Sequence, residues 1–382
     1  MEASLILQPF FVYFHMKIAL VHDWLTGMRG GEKCLEVLCE IFPEAPIYTL
    51  LYIKGSISPA LESKDIHTSF IQRFPMLEEK YRSYVPLFPL AIESLDFSEY
   101  DVVISTSHCV AKGIKVRPGA LHISYIHTPM RYVWEMYDEY FGKGRAGFMT
   151  RAAMAIFAPY LRRWDRKTAS RVHYYIANSE NVRQRIQRLY GRDAEVIFPP
   201  VDTNLFQLSN SDEGFYLLVS ALVPYKRVDL AVEAFNQSGD RLFIVGKGPE
   251  DRKLREMAKS NVVFLGWRTD QELAELYACC RALIFPGEED FGIVPLEAMA
   301  SGKPVIAFAK GGALETVVEG VTGTFFKEQT AAACLERIHA LQTMHLDPVT
   351  IRAHALHFGR EVYKKKMSAF IEVKVTEHFR KI

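Results

Sequence analysis

The sequence predicts an α/β protein with two doubly wound units in tandem, each a parallel sheet covered by helices on both faces. Short apolar runs alternate with stretches of helical spacing along the chain, which is typical of parallel sheets. At 382 residues the chain is also too long for one ordinary hydrophobic core, so two domains are the default expectation. The alternation is interrupted once, at the adjacent prolines Pro199 and Pro200.

Composition narrows the class of protein. Hydrophobic residues make up 49% and charged residues 24% of the chain, as in globular proteins that are neither disordered nor embedded in a membrane. The net charge of +1 gives no global reason to expect nucleic-acid binding. The six cysteines show neither a CxxC pair nor a zinc spacing, so we expect a reduced, cytoplasmic protein.

Residues 1–16 form an extension ahead of the first core strand. Its apolar run from Leu5 to Phe14 has no basic segment before it and is too short to span a bilayer, which needs about 20 apolar residues. A start codon assigned too early explains this segment better than a functional anchor does.

In the first unit, apolar runs predict the strands and helical spacing predicts the helix that follows the first of them. That helix is expected from Glu32 to Ile41, with Leu35 and Leu38 on its buried side. The predicted strands are 17–23, 101–107, 121–127 and 173–179.

The segment 196–206 contains the two prolines and is the predicted linker, because neither a helix nor a central strand tolerates them. Residues 358–379 have the pattern of a long amphipathic helix. Between these two segments the strands are expected at 215–222, 241–246, 262–267, 282–287 and 304–308.

Open parallel sheets bind ligands beyond the carboxyl ends of their strands. The most informative segment of this kind is 286–308. Gly292 permits close backbone approach, and Pro295 is tolerated in a first helical turn. The helix start then offers free N–H groups and a positive dipole end to a phosphate. Glu289 and Glu297, eight residues apart, are placed to contact two parts of one ligand. The pair by itself is equally compatible with a solvated helix face.

This segment, EDFGIVPLE, resembles the EX7E signature of glycosyltransferase family 4, whose members have the GT-B fold. Further motifs in the family's order include IHTP, LVPYKRVDL, IVGKGP, FLGW and GGALETV, so the resemblance covers nearly all of residues 17–382. It implies two Rossmann-like domains facing a deep cleft. Residues 17–200 with 360–382 would form the acceptor-side domain, and residues 201–359 the donor-binding domain.

The resemblance also implies roles for single residues on the donor side. Glu289 would contact the hydroxyl groups of the donor sugar, together with backbone amides around Phe291, Gly292 and Ile293. Glu297 would bind the ribose.

Lys226 and Arg227 lie at a predicted helix start, where cations oppose the dipole and need an anionic partner. A donor diphosphate would supply it, and a solvated surface turn is the alternative. The family usually carries an Arg at the position of Ala221. Its loss implies either weaker donor binding or compensation by Arg227 or another cation.

Three further residues follow predicted strands of the second unit. Gly248 belongs to a turn that only superficially suggests a dinucleotide fingerprint, because the third glycine position is Asp251. The resemblance places this turn against the donor. Trp267 and Arg268 match the family's base-binding loop, and ordinary packing is an equal alternative for Trp267.

In the first unit, Gly30 and Gly31 close the turn after the first strand, where the resemblance implies an approach to the donor phosphate and a bare structural turn is the alternative. His127 ends a strand and corresponds to the family's active-site histidine, which contacts the transferred sugar. With Lys226 and Glu289 it forms the predicted catalytic set. The predicted acceptor-side residues are Asp23, His108, Arg131 and Tyr132, with packing an equal alternative for Asp23.

No Asp-x-Asp motif occurs in the chain, so the metal-diphosphate device of the other large transferase fold is missing. Lys226, nearby cations and a helix dipole would instead neutralise the leaving group, without a metal. The family retains the anomeric configuration, and its usual mechanism is front-face attack.

Residues 145–171 combine aromatic and basic side chains in one amphipathic stretch, which suits the surface of an anionic membrane. A helix that packs its apolar side on the domain explains the same pattern. The apolar residues concerned are Ile156, Phe157, Tyr160, Leu161 and Trp164, and the basic ones are Arg151, Arg162, Arg163, Arg166, Lys167 and Arg171.

The expected function is therefore a retaining hexosyltransferase. The segments HDWLTGMRGGEK and HTPMRYVW resemble those of bacterial O-antigen mannosyltransferases. The expected donor is therefore GDP-mannose, and the expected acceptor is a glycan or lipid-linked glycan of the cell surface. No cofactor is expected. The alternatives are another enzyme of this fold, such as a nucleotide-sugar epimerase or a sugar phosphorylase, and an oxidoreductase disfavoured by its broken glycine fingerprint.

Overall fold

The computed structural model describes residues 16–142 and 147–380, and these form two compact units. Unit 1 comprises the chain up to residue 178, residues 182–197 and the chain from residue 363. Unit 2 comprises residues 179–181 and 198–362. The corresponding boundaries predicted from the sequence are 200/201 and 359/360, each about three residues away. The predicted extension 1–16 lies outside the described residues except for Met16, as do residues 381 and 382.

The described part of unit 1 contains a seven-stranded parallel sheet with the order β3-β2-β1-β4-β5-β6-β7. Strand β1 pairs with both β2 and β4, with Ile18 opposite Val102. The strand order therefore reverses at β1, which is where open sheets bind ligands. The strands are β1 Ile18–His22, β2 Ile47–Thr49, β3 Ile66–Thr68, β4 Val102–Ser107, β5 Leu121–Ile126, β6 Tyr174–Ala177 and β7 Glu195–Val196.

In unit 2 the described residues form a six-stranded parallel sheet with the order β10-β9-β8-β11-β12-β13. The order reverses at β8, which pairs with both β9 and β11. The strands are β8 Phe215–Val219, β9 Arg241–Val245, β10 Val262–Gly266, β11 Ala282–Phe285, β12 Val305–Phe308 and β13 Gly323–Phe326.

Helices connect the strands in both units, with short 3-10 helices at 70–73, 81–87, 111–113, 169–171 and 224–226. The α-helices of the described chain are α1 Gly30–Ile41, α2 Pro59–Glu62, α3 Leu77–Lys80, α4 Phe88–Glu93, α5 Tyr137–Phe141, α6 Phe148–Thr168, α7 Glu180–Tyr190, α8 Val228–Ser238, α9 Asp251–Met257, α10 Asp270–Cys279, α11 Ile293–Ala300, α12 Ala313–Thr316, α13 Ala331–Leu341, α14 Pro348–Leu356 and α15 Arg360–Phe379.

Successive residues of the central strands point to opposite faces of each sheet. In β1, Leu20 joins the core on one face, while Ala19 and Val21 join the core on the other. In β8, Tyr216 and Leu217 divide in the same way between the two cores of unit 2. Both faces of each sheet are therefore covered, which explains the continuous apolar runs in the sequence.

Helix α15 contributes to the core of unit 1. Tyr363, Met367, Ile371 and Val375 follow one another at intervals of four and are all buried in the same cluster as Leu20. This spacing places them on one side of a helix.

A buried ion pair fixes α6 to unit 1. The ammonium of Lys112 lies 2.9 Å from a carboxylate oxygen of Asp165 and also donates to the Thr168 hydroxyl at 3.1 Å. The other Asp165 oxygen accepts from the indole N–H of Trp134 and the hydroxyl of Tyr190, at 2.8 and 2.9 Å. Buried charges require such partners, so these contacts fix the position of this side of α6 against the rest of unit 1.

Two doubly wound parallel sheets confirm the predicted fold class. The strands predicted from apolar runs are all present, each trimmed by a residue or a few. Strands β2, β3, β7 and β13 are not in the prediction. No helix within residues 16–142 and 147–380 is both long enough and apolar enough to span a bilayer.

Candidate active site

Three histidine rings meet at the carboxyl end of the unit 1 sheet. His22 is the last residue of β1, His108 follows β4, and His127 follows β5. The ring centroids are 5.8 Å apart for His22 and His108, and 6.4 Å apart for each of the other two pairs. Neighbouring strands bring them together at the point where the strand order reverses. His108 and His127 were predicted, but His22 was not.

His22 is fully buried and is held from two sides. Its Nδ1 lies 2.6 Å from the Thr106 hydroxyl, and its Nε2 lies 3.8 Å from the carboxylate of Glu32 in the first turn of α1. Burial alone would raise the pKa of Glu32, but the electrostatic interaction with the nearby His22 ring outweighs it, and the pKa is lowered. Glu32 is therefore an ionised group behind the histidine cluster, which the sequence analysis did not identify.

His127 is held as a neutral imidazole. Burial, followed by the charges of His108 and His22, lowers its pKa well below the usual value. Within the described residues its Nε2 is buried without a hydrogen-bond partner. Buried polar atoms are seldom left unpaired, and such an atom calls for an explanation.

Gly31 makes room for these rings. A Cβ atom at this position would lie 3.2 Å from Cε1 of His22 and 3.4 Å from Nε2 of His127. Gly30 and Gly31 are the first two residues of α1 rather than part of the preceding turn, which corrects the predicted location. The contact of Gly31 with the rings of His22 and His127 gives that residue a packing role that a bare turn lacks.

Asp23 anchors the loop after β4 instead of facing an acceptor. Its side chain is fully buried, and its two oxygens accept backbone N–H groups from residues 108–111 at 2.6 to 2.9 Å. Nδ1 of His108 lies 3.2 Å from the same carboxylate. Because all of this bonding is internal, the predicted acceptor contact gives way to a positioning role for Asp23.

The other two predicted acceptor-side residues follow β5 along the chain. The hydroxyl of Tyr132 lies 2.8 Å from the sulfur of Cys109, and burial raises its pKa well above the usual value. Tyr132 is therefore a neutral, internally bonded side chain. Arg131 is half-buried, and its acceptor-side role stays a prediction.

In unit 2, Lys226 and Glu289 form an ion pair. Lys226 ends the 3-10 turn after β8, and Glu289 lies in the loop after β11. These two strands are neighbours at the point where the strand order reverses. Both residues belong to the predicted catalytic set, and the structure brings them into contact.

Close backbone contacts hold the loop that carries Glu289. The carbonyl oxygen of Glu289 accepts the N–H of Gly312 at 2.9 Å. A Cβ atom on Gly312 would lie only 2.2 Å from Cα of Phe291, so no other residue fits without displacing backbone. The GG of the GGALETV motif is therefore explained by packing against the EDFG loop.

Helix α11 begins directly after this loop, with Gly292 as its N-cap at a φ of 88°. This left-handed conformation favours glycine. The side chain of Phe291 is buried and stacks on Phe198 at 5.4 Å between ring centroids. Only the backbone of Phe291 is thus suited to a ligand, while the half-buried Ile293 opens the first helical turn. The free N–H groups of this turn provide a site for an anion.

Glu297 lies one turn further along α11 and is buried. Its carboxylate accepts a hydrogen bond from the hydroxyl of Tyr277 at 3.1 Å. Tyr277 is fully buried on α10, and burial followed by the Glu297 charge raises its pKa well above the usual value. Tyr277 therefore stays a donor that orients the predicted ribose-binding carboxylate. The sequence carried no signal for this tyrosine.

Arg227 is bound within its own helix start. Its guanidinium donates to the carboxylate of Asp229 at 3.1 and 3.3 Å and to the side chain of Gln329 at 3.3 Å. Its backbone is left-handed, with a φ of 53°. These contacts argue against Arg227 as the cation that compensates for Ala221.

The remaining predicted donor residues have different surroundings. A Cβ atom on Gly248 would lie 2.2 Å from the carbonyl oxygen of Leu222, so this glycine is required by the packing of two loops. Trp267 is 63% exposed, which excludes the alternative of an ordinary core residue. Arg268 lies beside it, 3.7 Å from Glu272, and both remain candidates for the base-binding loop.

Family models match most of the chain in two adjacent parts. The model described as Glycosyltransferase Family 4 matches residues 29–205, and the model described as Glycosyl transferases group 1 matches residues 202–350. The chain belongs to glycosyltransferase family 4.

Several curated proteins are similar to this family 4 protein over part of its length. The α-1,3/1,6-mannosyltransferase ALG2 of Dictyostelium discoideum is 34% identical over 153 residues, 32% of this chain and 36% of the relative. The O-antigen chain mannosyltransferase RfbU of Salmonella typhimurium is 30% identical over 159 residues, 38% and 45% of the two chains. A Pseudomonas savastanoi glycogen synthase is 27% identical over 239 residues, 59% and 47% of the two chains. The chain spans less than half the length of each of these relatives.

Solved structures match along almost the whole chain. The crystal structure of Anabaena HepE in complex with UDP-glucose has a TM-score of 0.67 and 20% sequence identity, covering 94% of this chain and 100% of HepE. At this identity the likeness concerns the fold. With the two parallel sheets described above, it confirms the predicted GT-B fold for this family 4 protein.

Proposed function

We propose that this protein is a retaining, metal-independent glycosyltransferase that transfers mannose from GDP-mannose to a glycan or lipid-linked glycan during cell-surface polysaccharide assembly. The acceptor is used in the cytoplasm, at the inner face of the cell membrane. The observation that carries the proposal is the contact of Lys226 with Glu289 next to the start of α11. It joins a cation, a carboxylate and a helix dipole in one place.

These three groups match the parts of a nucleotide-sugar. The diphosphate binds to the ammonium group of Lys226 and to the N–H groups at the start of α11. Both stabilise the negative charge that develops as the leaving group departs. Glu289 then accepts hydrogen bonds from the sugar hydroxyls, and Glu297 from the ribose. Lys226 thus has two anionic partners, the carboxylate of Glu289 and the donor phosphate, and both lie at the loops after β8 and β11.

We assign to His127 the contact with the transferred sugar. Its neutral imidazole and its unpaired Nε2 suit a hydrogen bond to a hydroxyl group. A neutral ring also adds no positive charge next to an oxocarbenium-like transition state, which an imidazolium would oppose.

The similarity to two mannosyltransferases supports mannose as the transferred sugar. The similarity to glycogen synthases means that donor specificity has to be measured directly. Thermal-shift screening of the purified protein against GDP-mannose, UDP-glucose, UDP-galactose and ADP-glucose tests the donor, because at equal concentration the ligand with the lower Kd stabilises the folded state more. GDP-mannose should give the largest shift, and Glu289→Gln should reduce it.

Product analysis tests the reaction itself. Incubation with the preferred donor and a polyprenyl-diphosphate-linked glycan should yield an elongated glycan with the donor's anomeric configuration, as read by NMR. An inverted configuration contradicts the retaining mechanism. Rapid conversion of the donor to an epimerised sugar nucleotide in the absence of acceptor would show that the protein is an epimerase and not a transferase.

A further inference from the structure

Helix α6 exposes large apolar side chains on its outward side. Phe148 is 83% exposed, Met149 84% and Ile156 72%. At 100° per residue these positions fall on one side of the helix, opposite the buried Leu161 and Trp164. The two explanations of this segment's sequence pattern therefore apply to different residues: Leu161 and Trp164 pack on the domain, and the other side stays uncovered.

The second half of the same outward side is basic. A cavity of about 540 Å³ is lined there by Trp134, Pro159, Arg162, Arg163, Arg166 and Lys167. The guanidinium groups of Arg162 and Arg166 lie 5.8 and 5.1 Å from the Trp134 ring centroid, which fixes their positions.

The positive charge of this cavity is not compensated on its own helix. The one acidic residue in the sequence of α6 is Asp165, and its carboxylate is buried and paired with Lys112. Among the described residues, neither Arg163 nor Lys167 forms an ion pair with a carboxylate. Four basic side chains thus line one cavity without an acidic group between them.

We propose that the outward side of α6 docks on an anionic phospholipid bilayer. Phe148, Met149 and Ile156 enter the interfacial region, and the cavity around Arg163 and Lys167 binds lipid phosphate groups. Apolar and basic residues on one side of a helix bind anionic interfaces through both burial and charge. Here the two kinds of residue follow one another along the helix, so the apolar half inserts while the basic half lies at headgroup level.

A lipid surface fits these residues better than a nucleic acid does. Basic side chains suit either polyanion, but binding of single strands depends on aromatic side chains that stack on bases. Two of the three most exposed apolar side chains, Met149 and Ile156, have no ring. An occupant with an apolar interior accounts for their exposure, whereas stacked bases do not.

Co-sedimentation of the full chain with vesicles tests the electrostatic part. The protein should bind phosphatidylcholine vesicles that contain phosphatidylglycerol and should bind pure phosphatidylcholine only weakly. Since each basic residue near such a surface contributes about a fivefold factor in binding, the double variant Arg163→Glu with Lys167→Glu should lower the partition coefficient by more than about 25-fold. Lys327→Glu with Lys365→Glu is the matched control, because both lysines are exposed elsewhere on the chain.

The apolar part is tested by Met149→Ser with Ile156→Ser, which should lower partitioning by about tenfold or more. Val349→Ser with Val373→Ser is its control, since these valines are 60% and 52% exposed. Both test pairs lie on the surface, so circular dichroism should show an unchanged fold.

Three outcomes would overturn the proposal. They are equal binding to neutral and anionic vesicles, equal binding by the test and control variants, and displacement of the vesicles by an equimolar oligonucleotide. The measurement uses no nucleotide-sugar, so its failure leaves the proposed transferase activity standing. A failure to transfer sugar would in turn leave the vesicle result unaffected.

Discussion

The ammonium group of Lys226 and the carboxylate of Glu289 form an ion pair that joins the loops after β8 and β11 in unit 2. Both side chains are more than four-fifths buried. Each group therefore holds the other in position near the start of α11, and a nucleotide-sugar that binds there meets a preorganised cation and a preorganised acceptor of hydrogen bonds.

Loss of either partner should abolish most of the transfer reaction. Lys226→Ala and Glu289→Gln should each lower kcat by on the order of 10²- to 10³-fold, the range for removal of one preorganised electrostatic group. Lys17→Ala is the matched control, because Lys17 is 64% exposed and pairs with Glu99 in unit 1, ahead of the first residue of β1. Steady-state kinetics with the preferred donor checks this, and near-normal turnover in Lys226→Ala would remove the assigned site.

Tyr277 should affect donor binding through Glu297. Tyr277→Phe removes the 3.1 Å hydrogen bond to that carboxylate and should raise KM for the donor about fivefold with kcat unchanged, the effect of about one net hydrogen bond. Glu297→Gln should raise KM further, because it alters the group that contacts the ribose. A larger effect of the tyrosine variant than of the glutamate variant would mean that Tyr277 itself touches the donor.

The cation that replaces the missing arginine at Ala221 should be Lys247. The carbonyl oxygen of Lys247 accepts the N–H of Leu222 at 3.0 Å, so its backbone lies beside that position, and its side chain is exposed. Lys247→Gln should weaken binding of GDP about tenfold by calorimetry, as expected for one charge-assisted hydrogen bond. Arg227→Gln should leave this affinity unchanged, because Arg227 is bound to Asp229. The opposite order of effects would return the role to Arg227.

Gly312→Ala should destabilise unit 2. The added Cβ would lie 2.2 Å from Cα of Phe291, so backbone must move, at a cost of about 1 to 3 kcal/mol. Gly147→Ala is the control, because a Cβ there meets no atom of the described residues within 4 Å. Denaturant titration should separate the two variants, and equal midpoints would show that the loop shifts freely.

Acid should destabilise unit 1 through its buried histidines. Burial lowers the pKa of His122 to about 3 and lowers that of His127 well below its usual value. The unfolded chain protonates both near pH 6.5, whereas the folded chain does not, so below that pH the unfolded state binds more protons. Stability should therefore be unaffected by these groups above about pH 6.5 and fall by up to about 1.4 kcal/mol per pH unit per histidine below it.

Denaturant titrations at pH 7 and pH 5.5 measure this slope. His122→Gln should reduce the pH dependence of the free energy of unfolding by the contribution of one histidine, because glutamine does not titrate. This holds whatever the variant's stability at pH 7. An unchanged slope would exclude His122 as a source of the acid sensitivity.

Apolar runs predicted the long strands because strands buried on both faces need continuous hydrophobic sequence. The same criterion missed β2 and β3, which have three residues each and include polar side chains. Their existence depends on pairing with β1 and with each other, and such pairing leaves no local signal.

The candidate site divides in a similar way. Lys226, Glu289, Glu297 and His127 were accessible from motifs because they follow strands or open a helix. His22 was not, since it closes an apolar strand and the groups that contact it lie at positions 32 and 106. For Asp23, acceptor contact and packing were equal alternatives, because sequence cannot show that four backbone N–H groups already occupy its oxygens.

The backbone contact between Gly312 and the loop of Glu289 has a practical consequence for protein engineering. A library that randomises this loop together with position 312 would consist mostly of destabilised members, whatever donor was selected for. Positions such as Trp267, Arg268 and Ile293 carry side chains that are exposed or half-buried and can vary without displacing backbone. Directed evolution towards another sugar nucleotide should therefore sample those three positions and keep the glycine fixed.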